Sequence, residues 1–272
     1  VTFPNKPARE MAGRVAGMSR EASGVLIRTF HSFGAWFLRR FAAEAGLERN
    51  FTIYDDDDSV SLLKSLYDSM DRRELSRFAH FISRAKDSCL SPDEDLSSIS
   101  SDPDFPGMYK RYQVRLDEMG NADFGDLIMK TVLLLRSNES ARKEIQDRFK
   151  VVLVDEYQDS NVAQFELLKA LKGEETYICV VGDDDQSIYR FRGAEVRNIL
   201  SFQNSFKGTE IVKLEQNYRS TQAILELATH VVNGNSGRLG KTLWTARKGG
   251  RRPQLQYLLD QEQEARFCAD LL

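Results

Sequence analysis

Cysteine is scarce and scattered in this 272-residue chain. Cys89, Cys179 and Cys268 are odd in number and far apart, and no Cys/His partner stands at metal-ligand spacing, so neither a disulfide framework nor a zinc site is expected. They read as small buried hydrophobes in an intracellular, reducing compartment, with nothing to separate bacterial cytoplasm from nucleus or organelle. No apolar run approaches the length of a membrane span, so no membrane-crossing helix is expected. An excess of charge of one sign is also missing: 38 Lys+Arg face 41 Asp+Glu, for a net charge of −3. Nucleic-acid binding through bulk basicity is thereby excluded, and any such binding needs a local groove. The 41% hydrophobic and 29% charged residues are those of an ordinary globular chain, long enough for two domains or one elaborated domain. The first methionine is Met11 and the chain opens on Val-Thr-Phe, inside what reads as an element, so a segment of a longer protein is expected.

Patterning gives an α/β organisation with a helical interruption. A short β-like opening, a helix over Ala8–Met18, a β-prone Val25–Thr29 and an amphipathic helix over Phe33–Ala45 come first. Residues 55–116 turn helical and polar, broken by a Ser/Asp/Pro-rich stretch, Ser88–Pro106, that reads as loop and buries little. A helix (Phe124–Leu135), a strand (Val151–Asp155), a helix (Ala163–Leu171) and a strand (Thr176–Gly182) then imply a parallel βαβ unit, with a further helix near Val196–Phe202. A β-like Glu210–Leu214, a helix over Thr221–Val232, a Gly/Lys/Arg-rich loop and a strand over Gln254–Leu259 look like the start of another domain.

Chemistry concentrates where these strands end. Val151–Val154 is a continuous apolar run, as expected for a central parallel strand covered on both faces, and it delivers Asp155-Glu156 to its carboxyl end, where open α/β sheets bind ligands. Asp155 is placed to hold magnesium, a hard cation that takes oxygen ligands, and Glu156 to orient or deprotonate water. Alone, the pair reads better as an acidic helix cap. The neighbouring strand weighs against that, because it ends in Gly182-Asp183-Asp184-Asp185-Gln186, a second polar cluster in which Gln186 can sense a terminal phosphate. Ser187–Gly193 then interleaves Tyr189 and Phe191 with Arg190 and Arg192, a pattern that stacks bases while following a phosphate backbone and equally one of core aromatics with solvated arginines. Gln216–Thr221 follows another β-like stretch, with Ser220 or Thr221 placed to cap a helix. Arg219 there is either a phosphate contact from a second domain or a surface arginine, with Tyr218 beside it able to stack on a base.

In this order the segments resemble the superfamily 1 helicases of the UvrD, PcrA and Rep group. Asp155-Glu156-Tyr157-Gln158-Asp159-Ser160-Asn161 looks like their Walker B motif, Gly182–Gly193 like their third motif and Leu214–Thr221 like their fourth. Val1–Met11 is similar to the motif following the P-loop, Arg28–Phe33 to the next DNA-contacting motif, and Asp123–Ile128 to the short motif re-entering the first motor domain. The resemblance implies a RecA-like P-loop NTPase sheet, with residues 1–47 and 119–206 as the first motor domain, 48–118 as its helical insertion and 207–272 as the beginning of a second RecA-like domain. It implies ATP and magnesium as ligands. Asp155 would bind the metal through water, Glu156 act as general base, Gln186 contact the γ-phosphate, Tyr218 stack on adenine and Arg219 serve as arginine finger. Phe3, Asn5, Thr29, His31, Phe124, Tyr189, Phe191 and Arg192 correspond to residues lining the single-strand channel. Pro4 and Pro7 depart from the usual Thr and Ala and remove backbone donors near that channel. Gly125 stands where Asp is usual, and Phe191 where Trp is common.

No Gly-x-x-x-x-Gly-Lys-[Ser/Thr] occurs, although the chemistry requires a phosphate cradle. Gly240-Lys241-Thr242 imitates its tail, but Asn235 occupies the upstream glycine position and the segment follows a helix. Asp55–Asp58 reads as a solvated run capping a helix from Ser59, Arg247–Arg252 as an exposed turn, and His80 and His230 as lone helical histidines. The intact protein is therefore expected to be a DNA helicase and translocase that moves on single-stranded DNA, 3′ to 5′ by resemblance, and unwinds duplex at single-strand/duplex junctions. It is expected to act as a monomer in repair, replication or recombination, alongside proteins of those processes. This chain alone is expected to be inactive for want of the cradle. A helicase-nuclease subunit and a DNA-binding module without ATPase activity are the alternatives.

Overall fold

The computed structural model describes residues 1–2, 5–18, 24–188, 194–235 and 238–271. They form two compact units, Val1–Phe206 and Lys207–Leu272. The first runs α1 (Asn5–Met18), α2 (Phe30–Arg40), β1 (Ile53–Tyr54), α3 (Asp56–Leu66), α4 (Arg72–Asp87), α5 (Phe105–Glu118), β2 (Ala122–Asp123), α6 (Phe124–Ser137), α7 (Glu139–Arg148), β3 (Val151–Val154), α8 (Val162–Leu171), β4 (Tyr177–Val180), α9 (Arg197–Leu200) and α10 (Phe202–Ser205). The second holds α11 (Gln222–Val232) and α12 (Gln261–Leu271). No helix among the described residues is long and apolar enough to cross a membrane.

Both strand pairs are parallel, so each needs a crossover to return the chain to the same end. For β3 and β4, in register from Val151–Tyr177 to Val154–Val180, the crossover is α8. For β1 and β2, paired through Ile53–Ala122 and Tyr54–Asp123, it is the whole stretch α3–α5. That pair is the neck of a helical body with its own core, built around Leu63, Leu75, Phe78, Phe105, Tyr109 and Leu116. The larger core gathers α2, α6, α8 and the inner face of β3 through Phe30, Phe37, Leu38, Val132, Val154 and Leu168. Helix starts are set locally: Asp55, Asp71, Asp123 and Asn161 each head a reciprocal capping box with the residue three positions on.

Helix α6 sits at the centre of the first unit, against α2, α4, α7 and α8. Its crossing with α2 is possible only because position 34 is glycine: a Cβ there would lie 2.1 Å from the backbone carbonyl oxygen of Leu127. At its N-terminus, Lys86 from the last turn of α4 is completely buried and bonds Asp123 Oδ2 at 2.6 Å and Asp126 Oδ1 at 2.9 Å. Asp123 Oδ2 also accepts the Tyr112 hydroxyl at 3.0 Å, and Asp123 Oδ1 caps Asp126 N at 2.9 Å. Burial pulls the Lys86 ammonium down, but the two carboxylates outweigh it and hold the amine protonated. Gly125 follows from the same packing, since a Cβ would sit 2.7 Å from the Lys86 Cβ. The usual Asp at this position has no room here.

Several expected elements differ. The helices expected from Ala8, Phe33 and Ala163 begin earlier, at Asn5, Phe30 and Val162. α7 was not foreseen, because its polar sequence carries little apolar periodicity and only Ala141 and Ile145 are buried. The helix near Val196–Phe202 is broken into α9 and α10. Val25–Thr29, Glu210–Leu214 and Gln254–Leu259 form no strand; the first contributes one bridge, Thr2–Thr29. Ser88–Pro106 is largely irregular but buries Leu96, Ile99 and Phe105. Among the described residues the run Val151–Val154 is covered on one face only, with Val151 57% and Leu153 58% exposed. An apolar run shows that both faces tolerate burial; it does not supply the second cover.

Two outcomes follow from this packing. Gly34→Ala should force α2 and α6 apart and lower stability by roughly 3 kcal/mol or more, read from the denaturation midpoint. Asp87 ends α4, accepts from Asn161 Nδ2 at 2.7 Å, and is pushed up to about 7 by burial and then by the Asp123 charge. Its folded-state value lies above its unfolded one, so stability falls as pH rises from about 4 to about 7 and the loss is complete above that. Asp87→Asn should therefore stabilise the protein on the order of 1–3 kcal/mol at pH 8, with the gain shrinking toward pH 4, measured by thermal melts across pH.

Candidate functional site

Parallel pairing of β3 with β4 puts the carboxyl ends of both strands at one edge, and with them the two polar loops. The ladder carries past the strands: Val181 N donates to Val154 O at 2.8 Å and Tyr157 N to Val181 O at 2.9 Å. Residues 1–2 run along β3, where Val1 O accepts from Asp155 N at 3.0 Å. Asp155 is half-buried at the strand end and Glu156 is exposed. Glu156 holds a left-handed backbone (φ 53°, ψ 39°), a conformation that costs a non-glycine residue about 1–2 kcal/mol. The chain then tightens into one 3-10 turn, Tyr157–Asp159, before the Asn161 cap of α8. Tyr157 is buried with its ring edge-on to Phe202, and Asn198 Nδ2 donates to the carbonyls of Ser160 and Asn161, both at 3.1 Å. α9 and α10 thus brace the turn from behind.

Gln158 joins the two loops. Its side chain is 2% exposed; Nε2 donates to Glu156 Oε2 at 2.8 Å while Oε1 accepts from Asp183 N at 3.0 Å. Gly182 permits the approach, because a Cβ there would lie 2.7 Å from Gln158 Oε1. In the second loop Gln186 is exposed at the end of a 3-10 turn, Asp184–Gln186, and its Nε2 donates to Asp183 Oδ2 at 2.7 Å. Asp183, Asp184 and Asp185 bring carboxylate oxygens within 4.8 Å of one another, a spacing common in acidic loops that hold no ion. Asp159 is raised by burial and then by the charge of Glu156, so the edge is strongly acidic. Its donors are all oxygen, which suits a hard divalent cation better than a soft one.

A second group forms on α2 and the start of α6. Thr29 caps α2: its hydroxyl accepts from Ser32 N at 3.1 Å and donates to Ser32 Oγ at 2.9 Å, so it is committed to the helix. His31 meets Phe124 edge-on, with ring centroids 5.6 Å apart, and burial lowers its imidazole below the usual range, which keeps it neutral. Phe124 stays 52% exposed despite opening a helix, leaving an aromatic face available to a base. Phe3, Tyr189, Phe191 and Arg192 lie outside the described residues, as does the side chain of Asn5.

In the second unit Tyr218 and Arg219 are exposed. Asn217 Oδ1 accepts from the backbone N–H groups of Arg219 and Ser220 at 2.9 and 2.7 Å, and Arg247 Nη1 donates to the carbonyls of Tyr218 and Arg219. Thr221 occupies the cap position of α11 without a side-chain cap bond, so the turn is held by Asn217 instead of the expected Ser220 or Thr221. Arg247, read from sequence as part of an exposed turn, buttresses this motif. Gly240-Lys241-Thr242 runs beside residues 213–217, with Thr242 N on Glu215 Oε1 at 2.8 Å, and no helix starts there. Gln158, Asn198 and Arg247 were missed because each acts through partners distant in sequence. Only Gln158 carried a hint, a buried-type amide two residues after the acid pair.

The sequence profile of the UvrD/REP helicase N-terminal domain matches residues 1–207, and that of the UvrD-like helicase C-terminal domain matches residues 212–272. The chain is 40% identical over 275 residues to the ATP-dependent DNA helicase PcrA of Staphylococcus epidermidis, covering 98% of this chain and 38% of that protein. It is 41% identical to a probable DNA helicase II homolog of Rickettsia felis (99% of this chain, 42% of that protein). It is also 41% identical to the ATP-dependent DNA helicase UvrD1 of Mycobacterium tuberculosis (99% and 37%). The chain thus spans roughly two-fifths of the length of these curated relatives.

Proposed function

The chain belongs to the UvrD/REP helicase family, and on that premise we propose that it is part of an ATP-driven motor that translocates on single-stranded DNA and unwinds duplex at junctions. The observation that carries this reading is the parallel β3–β4 pair, which sets Asp155-Glu156 beside the Asp183–Gln186 loop at one sheet edge. The proposed architecture is a RecA-like first motor domain (1–47 and 119–206), a helical insertion (48–118) and the beginning of a second motor domain (207–272). The helical body closed by β1 and β2 and the separate packing of residues 207–272 support that division.

Phosphoryl transfer to water demands positioning and charge stabilisation more than covalent chemistry. Asp155 is the proposed holder of magnesium, through water, which when bound screens charge on the phosphate oxygens. Glu156 takes the proton of the attacking water, and Gln186 exchanges its bond to Asp183 for one to the γ-phosphate. Tyr218 stacks on adenine, and Arg219 supplies positive charge to the transferring phosphoryl group. Thr29, His31 and Phe124 line the DNA path with Phe3, Asn5, Tyr189, Phe191 and Arg192, and Thr29 also caps α2. The relatives named as DNA helicases support DNA as the substrate. A 3′ to 5′ direction, monomeric action, and a place in repair, replication or recombination complete the reading.

In the full-length protein, Glu156→Gln should reduce DNA-stimulated ATP hydrolysis by at least ~100-fold while leaving DNA affinity intact. Retained turnover removes Glu156 as the base. Phe124→Ala should weaken single-stranded DNA binding roughly 5- to 100-fold, measured by fluorescence anisotropy at fixed salt, with the folded state unchanged.

A further inference from the structure

Glu156 faces an edge where Asp155, Asp159 and Asp183 all contribute negative charge, and among the described residues its carboxylate makes no ion pair. The hydrogen bond recorded to it is the 2.8 Å donation from Gln158 Nε2. The same amide's oxygen pins Asp183 N, and the Gln158 carbonyl accepts from Ser187 Oγ at 3.3 Å. The second loop is thus tied to this one residue at both ends of its polar stretch. An amide is the side chain that can donate to a carboxylate and accept from a backbone N–H at once. Burial fixes its orientation, and Gly182 leaves room for it.

We propose that Gln158 is a positioning residue: it orients the carboxylate of Glu156 for hydrolysis and couples that orientation to the Asp183–Gln186 loop. This rests on the reading of Glu156 as the base. Removing the donor leaves a left-handed, exposed glutamate without a fixed rotamer, so chemistry slows while nucleotide affinity holds.

The test uses full-length protein at saturating single-stranded DNA, with kcat and KM for ATP measured for Gln158→Leu and Gln158→Glu. Gln158→Leu should lower kcat roughly 10- to 100-fold with KM changed less than about 3-fold. Gln158→Glu, which keeps an acceptor for Asp183 N but offers Glu156 no N–H donor, should lower kcat by a similar factor with KM likewise little changed. A merely structural role scales activity with the folded fraction; an unchanged kcat, or a kcat and KM that move together, in a variant whose melting matches the parent overturns the proposal. Should Gln158→Glu fold poorly, Gly182→Ala reads the same contact from the opposite side, since its Cβ displaces the amide, and an unchanged kcat there also overturns it. Retained activity in Glu156→Gln would instead sink the base assignment, whereas its collapse beside an unchanged kcat in Gln158→Leu would sink this proposal alone.

Discussion

The carboxylate of Asp123 is the point through which the two bodies of the first unit are joined. One oxygen caps α6 through Asp126 N; the other receives the Lys86 ammonium and the Tyr112 hydroxyl. An isolated charge at this depth costs several kcal/mol, so each member of the cluster obliges the others to stay in place. α4 and α5 are held to the start of α6, and α6 in turn carries Phe124 on one side and packs α2 and α8 on the others. Asp87 extends the seam to Asn161, the cap of the helix that follows the acid pair. Two adjacent residues of the α4 terminus, Lys86 and Asp87, thus reach the start of α6 and the cap of α8 respectively.

Such a seam trades stability for geometry. Asp126 is raised by burial and by the charge of Asp123, and the carboxyl of Asp87 is raised as well. Burial and mutual repulsion push these carboxyls toward their protonated forms, and Lys86, with Lys130 acting on Asp126, opposes that push. A well-packed apolar interface could hold α4 on α6 at less cost. What the polar version adds is direction: Lys86 reaches both carboxylates only when the α4 terminus and the α6 cap are in one relative position.

How far the fold and site could be read in advance follows the range of the interactions involved. Asp155-Glu156 at a strand end, the α8 crossover and the helix from Phe124 are local patterns, and they emerge from residues within a few positions of one another. Strands are the opposite case, since their stability comes from a partner. Among the described residues, Val25–Thr29 has the composition of a strand but makes a single bridge, Gln254–Leu259 joins no ladder, and Val151–Val154 has an apolar outer face with no cover. Gly125 is the most instructive residue. In sequence it is only an irregularity in the Asp-Phe-Gly-Asp motif; in three dimensions it is the space occupied by the stem of Lys86, from a helix that ends 38 positions earlier.

The same distinction explains why the acid pair alone was ambiguous. A strand that ends in Asp-Glu puts two carboxylates at an edge, but their orientation is set by what lies across the sheet. Here the register of β3 on β4 brings Gly182 opposite the turn after Glu156, and the absence of a side chain there lets the Gln158 amide reach both loops. Glu156 pays a conformational cost in its left-handed backbone that nothing in its own segment repays. The compensation comes from the ladder contact of Tyr157 with Val181, the bracing of Tyr157 by Phe202 and the amide bridge to Asp183. Strain at one residue is thus held by three contacts to the following strand and its helix, which makes the two loops one mechanical piece: the backbone that positions Gln186 cannot shift without pulling on the residue that orients Glu156.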